Sequence, residues 1–532
     1  MLFSRKEEIN PSILAVHEKT GWSVSKTQKK MNRAKELGLS YKAYVRHEAW
    51  NLTEDEVISL AEDLARKKAA RERAIATVQE AAGWDHEKAG ESLKNARKLG
   101  ISGSQYIRKA AYELESEEEL AELGRQLKLA GEKRQENYKI YLDEVCRETG
   151  WTPAEAQESM DKAKEMGISY LKYVQNGCWE LSEDELLELA EKITRYKTET
   201  IAANKAYYVQ KIMDAAGWSR GKTELEVLKA KNLTGCSYED FYVFRFYAIS
   251  PEEQVKYVTL DLFNKMRIKF NHHSTAAAMF DDKAKFNETF HDFINRRWFV
   301  NTDLTFASFV HHTEGLSSVL VKPLCATQGQ GIYKLNIRGD EKSLHEAYSR
   351  LTAPPEGRED PEDLSPAPSI VEEYIVQHEA TMSICPASVN TLRITTLNYN
   401  GQCHFLYSVF RMGRGGVVDN FHAGGIAAAV DIETGKVITD AADLSGNTFP
   451  VHPVSGITIK GFQIPHWDQI LSVCQNIYNR VEGVNLIGWD FAITPDGVDL
   501  IEGNPGASYV VAQIPYVSQG IGLRSVMTDP YL

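Results

Sequence analysis

A repeated Gly-Trp pair is the sequence feature that most restricts how this chain can fold. The pair occurs four times in the first half, at intervals of 62 to 67 residues. A second glycine follows each tryptophan by 16 or 17 residues, an aromatic residue follows that glycine by six, and an aliphatic residue follows it by fourteen. Four spacings kept in four copies predict one structural unit repeated four times. The pairs are Gly21-Trp22, Gly83-Trp84, Gly150-Trp151 and Gly217-Trp218.

The chemistry inside each copy predicts about three helices separated by glycine stops. Segments such as KTQKKMNRAKELG are rich in helix-forming residues and end at a glycine, the residue that most easily adopts a left-handed C-cap. Thr53, Ser182 and Ser250 each stand three residues before a glutamate, which is the capping-box pattern of a helix start. The second copy has Glu115 at this place and Ser116 one residue later, which allows its helix start to shift.

These helical copies predict an all-α repeat array, stacked as a small solenoid. We interpret the aromatic residues at its regular positions as core anchors, with a ligand-binding surface as the alternative. An array of this kind is expected to bind a partner or a substrate. The predicted array covers residues 1–258, with units near 10–70, 71–135, 136–200 and 201–258.

The bulk composition is that of a globular protein without a membrane or nucleic-acid partner. The chain has 532 residues and a formal charge of −13, which argues against a nonspecific nucleic-acid binder. No apolar run is long enough for a membrane span, and the start lacks the apolar core of a secretion signal. Seven dispersed cysteines with no CxxC pair fit reduced thiols. These features predict a cytoplasmic protein.

The second half changes character after about Asp261. Short apolar, β-rich runs such as SSVLVKPL and LIGWDFAITPDGVDLIEGNP alternate with turn signals at Asn400-Gly401 and Pro495-Asp496-Gly497. HWDQILSVCQNIYNRVE reads as an amphipathic helix between two strands, and the proline-rich segment TAPPEGREDPEDLSPAPS as a surface loop. The pattern predicts an α+β domain with a largely antiparallel sheet over residues 259–532.

Three cations stand where a triphosphate could be bound. Lys322 ends the β run Val-Leu-Val-Lys-Pro just before the glycine loop 327–331, although a strand followed by an ordinary hairpin turn has the same pattern. Lys283 follows Asp282 in a helical segment, where most lysines are only solvated. Arg393 lies within an otherwise apolar strand, so its charge needs a phosphate or carboxylate ligand or a structural salt bridge.

Asp490, Glu502 and Asn504 form a candidate magnesium site. Asp490 lies in Gly-Trp-Asp-Phe and the other two in Glu-Gly-Asn-Pro-Gly, on the two strands of a predicted hairpin. Two carboxylates and an amide oxygen are hard ligands that suit magnesium. A hairpin with acidic edge residues is the alternative.

Two further segments suit a nucleotide. Val371–Glu379, an apolar run with acids at both ends, could offer backbone groups to adenine and an acid to the ribose hydroxyls. Asn420–Ile426 is a glycine turn whose backbone amides could face a transferring phosphoryl group. His422 within it is a candidate catalytic residue, with a structural histidine as the alternative.

Taken in order, the segments DK, VKP with GQG, EEYIxxxE, NTLR, NxHxGG, GWD and ExNPG resemble the ATP-grasp superfamily of carboxylate–amine ligases over about residues 265–525. NTLRI and NFHAGG are most similar to its sugar-transfer-associated branch. The sequence departs from the pattern in two ways. Gly488 and Trp489 stand where many such ligases have a basic residue, for which Arg393 can substitute, and the helical array replaces the usual preceding α/β domain.

The resemblance implies ATP and Mg²⁺ as cofactors and assigns roles to the matched positions. It implies that Lys283 and Lys322 bind phosphates, that Glu372 accepts from the adenine amino group, and that Glu379 takes the ribose hydroxyls. Arg393 would stabilise an acyl phosphate, with Lys322 and His422 as the other catalytic candidates. Asp490, Glu502 and Asn504 would hold two magnesium ions. The remaining implied nucleotide contacts are Gln328, Gly329, Gln330, Gly331, Ile332, Glu373, Tyr374 and Ile375.

The implied reaction is ADP-forming amide synthesis. A substrate carboxylate attacks the γ-phosphate, and an amine then displaces phosphate from the acyl phosphate. The partners are therefore ATP, an acid and an amine, with the array recruiting the acid, which could be sugar- or peptide-linked. A kinase on the same fold and a non-catalytic scaffold with a degenerate nucleotide site are the alternatives.

Overall fold

The structure is a computed structural model that describes residues 9–272, 279–325, 331–354, 366–415, 421 and 424–532. It divides into two compact units, one of residues up to 128 with 219–222, and one of 129–218 with 223–532. The central part of the predicted proline-rich loop, residues 355–365, lies outside the described residues. The predicted sequence division at 258 remains a prediction.

The four copies of the repeat have the same order of elements. A helix ends at the first glycine, a second helix ends near the second glycine, and a short helix and a single 3₁₀ turn precede the next helix, which in the fourth copy has only four residues. The helices of the repeats are α1 (Pro11–Thr20), α2 (Val24–Glu36), α3 (Tyr41–Arg46), α4 (Glu54–Ala82), α5 (His86–Lys98), α6 (Gly103–Arg108), α7 (Glu117–Thr149), α8 (Pro153–Glu165), α9 (Tyr170–Gln175), α10 (Glu183–Tyr196), α11 (Ala202–Ala216), α12 (Arg220–Thr234), α13 (Tyr238–Val243) and α14 (Pro251–Gln254). The 3₁₀ turns are Ala49–Asn51, Ala111–Glu113, Cys178–Glu180 and Phe246–Ala248, and a wider helical turn, Lys197–Ile201, joins α10 to α11.

The glycines before the tryptophans end helices as the sequence predicts. Gly21, Gly83, Gly150 and Gly217 all have φ between 67° and 73°, a left-handed conformation that costs other residues free energy. Each donates its N–H to the carbonyl four residues earlier, which satisfies the last turn of the helix. The capping boxes at Thr53, Ser182 and Ser250 are also confirmed.

The second copy starts its long helix one residue later than the others. Its helix α7 begins at Glu117, and the Ser116 hydroxyl accepts from the N–H of Glu119 at 3.2 Å. The Glu119 carboxylate accepts in return from the N–H of Glu115 at 3.0 Å. The cap therefore moves from Glu115 to Ser116, because serine is one of the residues preferred at a helix N-cap.

The aromatic position of every copy is a core anchor, as predicted. Tyr44, Tyr106, Tyr173 and Phe241 are 3% exposed or less. Burying a large aromatic ring gives a small helical unit much of its apolar contact area, so these four positions hold the copies together. The alternative of a ligand-binding surface does not apply to these four positions. The tryptophans of the Gly-Trp pairs are only half-buried, so the prediction that they too are core anchors is not confirmed.

Two glycines of α7 offer a test of packing against helix propensity. A β-carbon at Gly124 would lie 2.4 Å from the carbonyl oxygen of Leu99, whereas one at Gly131 would meet no atom within 4 Å. We expect Gly124→Ala to destabilise the protein by about 1–3 kcal/mol through overpacking. We expect Gly131→Ala to be neutral or to stabilise it by up to about 1 kcal/mol. Urea unfolding of both variants checks the opposite signs, and equal effects would contradict the packing argument.

The second half forms two antiparallel sheets. A four-stranded sheet has the order β1-β4-β2-β3, and a seven-stranded sheet has the order β11-β10-β5-β6-β7-β8-β9. The strands are β1 (Trp298–Val300), β2 (Ser318–Pro323), β3 (Tyr333–Asn336), β4 (Ser369–Glu373), β5 (Thr391–Tyr399), β6 (Gln402–Met412), β7 (Ile426–Val430), β8 (Ala441–Ala442), β9 (Thr448–Phe449), β10 (Leu486–Thr494) and β11 (Gly497–Asn504). The predicted α+β class with antiparallel pairing is confirmed.

Helices cover these sheets, and the predicted helix between strands is confirmed as α20. The helices are α15 (Leu260–Phe270), α16 (Lys283–Thr289), α17 (Phe306–Thr313), α18 (Glu341–Thr352), α19 (Glu379–Ile384), α20 (Trp467–Ile477), α21 (Tyr509–Val517) and α22 (Arg524–Met527), with a 3₁₀ turn at His291–Phe293. Within the described residues, no helix combines the length and apolar character needed to cross a bilayer.

The fourth repeat shares one hydrophobic core with the large sheet. Phe241 and Phe244 of α13 and its C-terminal end belong to the same buried cluster as Leu406 and Val409 of β6. Asp240, fully buried, accepts a hydrogen bond from the Tyr509 hydroxyl of α21 at 2.7 Å. The fourth repeat is thus part of the support of the sheet, and its removal would expose apolar surface.

The Tyr509–Asp240 hydrogen bond provides a second stability test. Tyr509→Phe removes the donor and leaves a buried carboxylate oxygen with one partner fewer, which we expect to cost about 1–3 kcal/mol. Tyr478→Phe removes a hydrogen bond of 2.9 Å to Gly401 on the surface and is the matched control, with an expected cost below about 0.5 kcal/mol. Chemical denaturation compares the two, and an equal loss would contradict the burial argument.

Candidate active site

A buried charge network fixes Lys322 on β2. The Lys322 Nζ lies 2.5 Å from the Glu372 carboxylate on β4, and the Arg296 guanidinium contacts the other oxygen at 2.7 Å. Arg296 also reaches Asp499 of β11 at 3.0 Å. Burial alone would raise the pKa of Glu372, but Arg296 and Lys322 hold it well below its usual range. The network therefore keeps the carboxylate charged and the lysine in place.

The Glu372 carboxylate is engaged by these cations, so its contact with an adenine amino group remains a prediction. The segment after β4 offers backbone groups instead. In the part of the chain that the structure describes, the N–H groups of Ile375 and Val376 have no hydrogen-bond partner, and Val376 is 63% exposed. The Tyr374 ring is covered by the Lys334 ammonium at 3.7 Å from its centroid. This segment could hold a planar base between apolar groups and free amides.

Lys283 at the start of α16 lies in the same electrostatic environment as Lys322 and Glu502. Its Nζ donates to the carbonyl oxygens of Pro323 and Leu324 at 3.1 and 3.2 Å, directly after Lys322. Burial lowers the pKa of Lys283, the Glu502 carboxylate acts to raise it, and the Lys322 charge lowers it further. Lys283 therefore lies near both Lys322 and one acid of the terminal hairpin, as a common nucleotide site requires.

The hairpin pairs Asp490 directly with Glu502. The register of β10 and β11 places the two residues opposite each other, with a bulge just after Asp490. Asp490 is 2% exposed and is held by Arg393 of β5 at 2.6 and 2.5 Å and by Arg411 of β6 at 2.8 Å. Burial would raise the pKa of Asp490, but Arg393 and then Arg411 outweigh it and lower the pKa to about 2.

Glu502 differs from Asp490 in exposure and in charge balance. Its side chain is 48% exposed, and in the described part of the chain its one cation within 4 Å is Arg393, at 3.8 Å. Partial burial raises the pKa of Glu502, and the facing Asp490 carboxylate raises it further. Asn504 donates its amide N–H to the Glu502 carboxylate at 3.1 Å, so both lie on one face. Two facing carboxylates that repel each other form a site that favours a cation.

The donor set fits magnesium. Asp490, Glu502 and Asn504 offer hard oxygen ligands from adjacent strands. Among the described residues there is no group of three or more His, Cys, Asp and Glu that could hold a metal ion, so a metal here would rely on the Asn504 amide as the third ligand. In a magnesium-bound form the Asn504 amide would have to turn its oxygen toward the ion.

Two arginines of the site do not appear among the sequence candidates. Arg411 and Arg296 both hold buried carboxylates. Arg411 lies in the apolar strand β6, so the criterion that singles out Arg393, a charge inside an apolar run, also applies to it. Arg296 stands in Asn-Arg-Arg just before β1, where the sequence gives no sign of which arginine turns inward.

The other predicted residues fall into two groups. Gln328, Gly329, Gln330 and His422 lie outside the described residues. Among the described ones, Gly331 has φ of 71° and leads with Ile332 into β3, Glu373 pairs with Arg297 at 3.5 Å, and Glu379 is exposed as the first residue of α19. Their roles remain predictions.

Comparison with known proteins places the second half in a family. Residues 264–528 match the family model described as sugar-transfer associated ATP-grasp. No curated protein matches the chain. Among solved structures, the chain is similar to D-alanyl-alanine synthetase A from Vibrio cholerae O1 biovar eltor str. N16961, with 12% identity over 47% of this chain and 63% of that chain and a TM-score of 0.28. It is similar to VanG D-Ala:D-Ser ligase from Enterococcus faecalis, with 12% identity over 48% of this chain and 62% of that chain and a TM-score of 0.29. It is also similar to the ATP-grasp ligase PsnB in complex with a phosphomimetic variant of its minimal precursor, Mg and ADP. The identity is 11% over 51% of this chain and 64% of that chain, and the TM-score is 0.27.

The chain thus spans less than two thirds of the length of each of these proteins. Two antiparallel sheets, with Lys322 on the smaller one and an acidic hairpin at the edge of the larger one, form the region that matches the ATP-grasp model. Within that superfamily, the C-terminal half of this chain belongs to the sugar-transfer associated ATP-grasp family.

Proposed function

We propose that the protein is an ADP-forming ligase that activates a carboxylate with ATP and joins it to an amine. The observation that supports this most is the electrostatic proximity of Lys283 both to Lys322 and to Glu502, whose partner across the hairpin is Asp490. Phosphoryl transfer needs cations on the phosphates and carboxylates for magnesium, and these four residues supply both.

The side chains have separate tasks in this reaction. Lys283 and Lys322 bind the phosphate oxygens, and Glu372 keeps Lys322 in position. Arg393 lies beside both carboxylates and neutralises the charge that develops as the substrate carboxylate attacks the γ-phosphate. The substrate forms an acyl phosphate, and the amine then displaces phosphate from it. No side-chain nucleophile is needed, because positioning and charge stabilisation supply the catalysis.

Asp490, Glu502 and Asn504 would hold magnesium, which when bound neutralises the phosphate oxygens and orients them for in-line attack. In the absence of the ion, Arg393 and Arg411 balance the charge of Asp490. In the described part of the chain, Glu502 has no arginine as close as those that contact Asp490. We therefore expect the charge of Glu502 to depend more strongly than that of Asp490 on the bound metal.

The experiment that tests this proposal is a screen for ADP release from ATP and Mg²⁺ across pairs of carboxylic acids and amines. We expect release that needs both an acid and an amine, and a product with the mass of the amide. Release that needs only one hydroxyl compound would favour a kinase on the same fold. Nucleotide binding without release in any arm, together with full retention of binding in Glu502→Gln, would favour a non-catalytic scaffold.

A further inference from the structure

A pocket next to the hairpin contains a cation that no acid neutralises. The pocket lies between the third repeat and the start of the ATP-grasp domain, and is lined by Trp179, Gln175, Arg267 and Pro505, among others. Pro505 directly follows Asn504, so the pocket adjoins the candidate magnesium site. Asn271 holds this edge in place by donating to the carbonyl oxygens of Leu486 and Pro505 at 2.9 and 3.0 Å.

Arg267 of α15 packs its guanidinium on the backbone of Gly506. A β-carbon at Gly506 would lie 3.4 Å from the Cζ of Arg267, which shows how closely the guanidinium approaches this backbone. Burial lowers the pKa of Arg267, and no acid counteracts it. Within the described residues the Arg267 side chain forms no hydrogen bond and has no carboxylate within 4 Å. A half-buried guanidinium without a counter-ion is costly to the folded protein.

A second cation, Lys172, lies close to Arg267. It stands on α9 of the third repeat, and its Nζ has no hydrogen-bond or ion-pair partner in the described part of the chain. Burial lowers the pKa of Lys172, and the charge of Arg267 lowers it further. The corresponding positions in the other copies are Ala43, Gln105 and Asp240, so the repeat itself does not require a lysine here.

The acids that line the pocket already have partners. Glu144 and Glu148 both pair with Arg147 of the same helix, at 2.6 and 2.9 Å, and Glu148 also lies 3.5 Å from His272. Two acids share the single Arg147, so with Arg267 and Lys172 included this region carries one more positive charge than negative charges. A partly desolvated guanidinium without an ion pair, with a second cation near it, favours an anion, and the planar guanidinium suits a carboxylate.

We propose that Arg267 and Lys172 bind a carboxylate of a substrate, distinct from the carboxylate that is phosphorylated. One substrate then carries this acid group beside its reacting group, as an amino acid or a dicarboxylic acid does. The third repeat would contribute directly to substrate recognition through Lys172. This inference rests on the proposed function for the identity of the reaction, but the anion site itself does not depend on it.

The test uses the full-length protein saturated with ADP and Mg²⁺, and succinate as the probe at constant ionic strength. We expect succinate to raise the Tm of the wild type, and Arg267→Gln and Lys172→Met each to need at least about tenfold more succinate for the same shift. Lys42→Met, an exposed lysine of the first repeat, is the matched control and should respond as the wild type does.

A structural role for Arg267 predicts a different outcome. Without succinate, Arg267→Gln should have an unchanged or higher Tm, because it removes an uncompensated charge, whereas loss of a structural contact would lower the Tm. No response of the wild type to succinate, or an unchanged response in Arg267→Gln, would overturn the inference.

A second measurement separates this inference from the proposed function. In the amine arm, an amine substrate that carries a free carboxylate is compared with the same amine whose carboxylate is a primary amide. In the acid arm, a dicarboxylic acid substrate is compared with its monoamide. We expect at least a tenfold preference in kcat/KM for the extra carboxylate in one arm, lost in Arg267→Gln. No preference in either arm overturns the inference. Absence of ADP release in every arm would refute the proposed function while the succinate result still decides the anion site.

Discussion

Replacing Glu502 by glutamine is expected to lower ADP release about 10³-fold and to remove the magnesium dependence of nucleotide binding. The glutamine keeps the size of the side chain and its contact with Asn504, but it loses the charge that would bind the metal. Removal of a few kcal/mol of charge stabilisation in the transition state corresponds to this factor. The measurement is ADP release by a coupled assay, with ADP affinity titrated at several Mg²⁺ concentrations.

The fold should not suffer from this change. Glu502 is 48% exposed, and its pKa is raised by partial burial and by the Asp490 carboxylate, so its charge is disfavoured in the folded protein. A raised carboxyl pKa means that ionisation weakens the fold as the pH rises, and Glu502→Gln should therefore keep or slightly raise the Tm at pH 7. Glu482→Gln, an exposed acid away from the site, is the matched control. Full activity in Glu502→Gln would remove Glu502 from the metal site.

Much of the fold follows from the sequence because its signals are local. The glycine stops at Gly21 and Gly83, the capping boxes and the turn at Asn400-Gly401 each depend on residues a few positions apart. The β10–β11 hairpin also follows from a local turn, and with it the pairing of Asp490 and Glu502. Such features need no knowledge of distant contacts.

The features that the sequence does not reveal depend on distant contacts. Nothing local in the fourth repeat indicates that Phe244 packs in one core with β6, or that Asp240 binds Tyr509, 269 residues away. The same holds for Arg296, whose partner Glu372 lies 76 residues further on. A charged residue in an apolar run predicts that some partner exists, but its identity comes from the sheet order, which joins β10 to β5 and β5 to β6.

Asp490→Asn is expected to lose stability as well as activity, whereas Glu502→Gln should lose activity alone. Asp490 is the shared partner of Arg393 and Arg411, and the asparagine would remove the negative charge that both buried guanidinium groups contact. Breaking a buried ion pair from one side costs about 3–5 kcal/mol. We expect a clearly lower Tm at pH 7, measured by circular dichroism, in addition to the loss of ADP release.

The pH dependence of this stability loss identifies its cause. The pKa of Asp490 is about 2 in the folded protein, below its ordinary value of 3.8, so the carboxylate stabilises the fold fully above pH 3.8 and loses this effect as the pH falls toward 2. The difference in stability between wild type and Asp490→Asn should therefore be constant from pH 7 to about pH 5 and should shrink below pH 4. The difference in stability could instead stay constant down to the lowest pH at which both proteins fold. The asparagine would then disturb the packing of the side chain rather than the charge between Arg393 and Arg411. In that case the two arginines could not depend on Asp490 for their neutralisation, and the charge balance assigned to the metal-free site would be wrong.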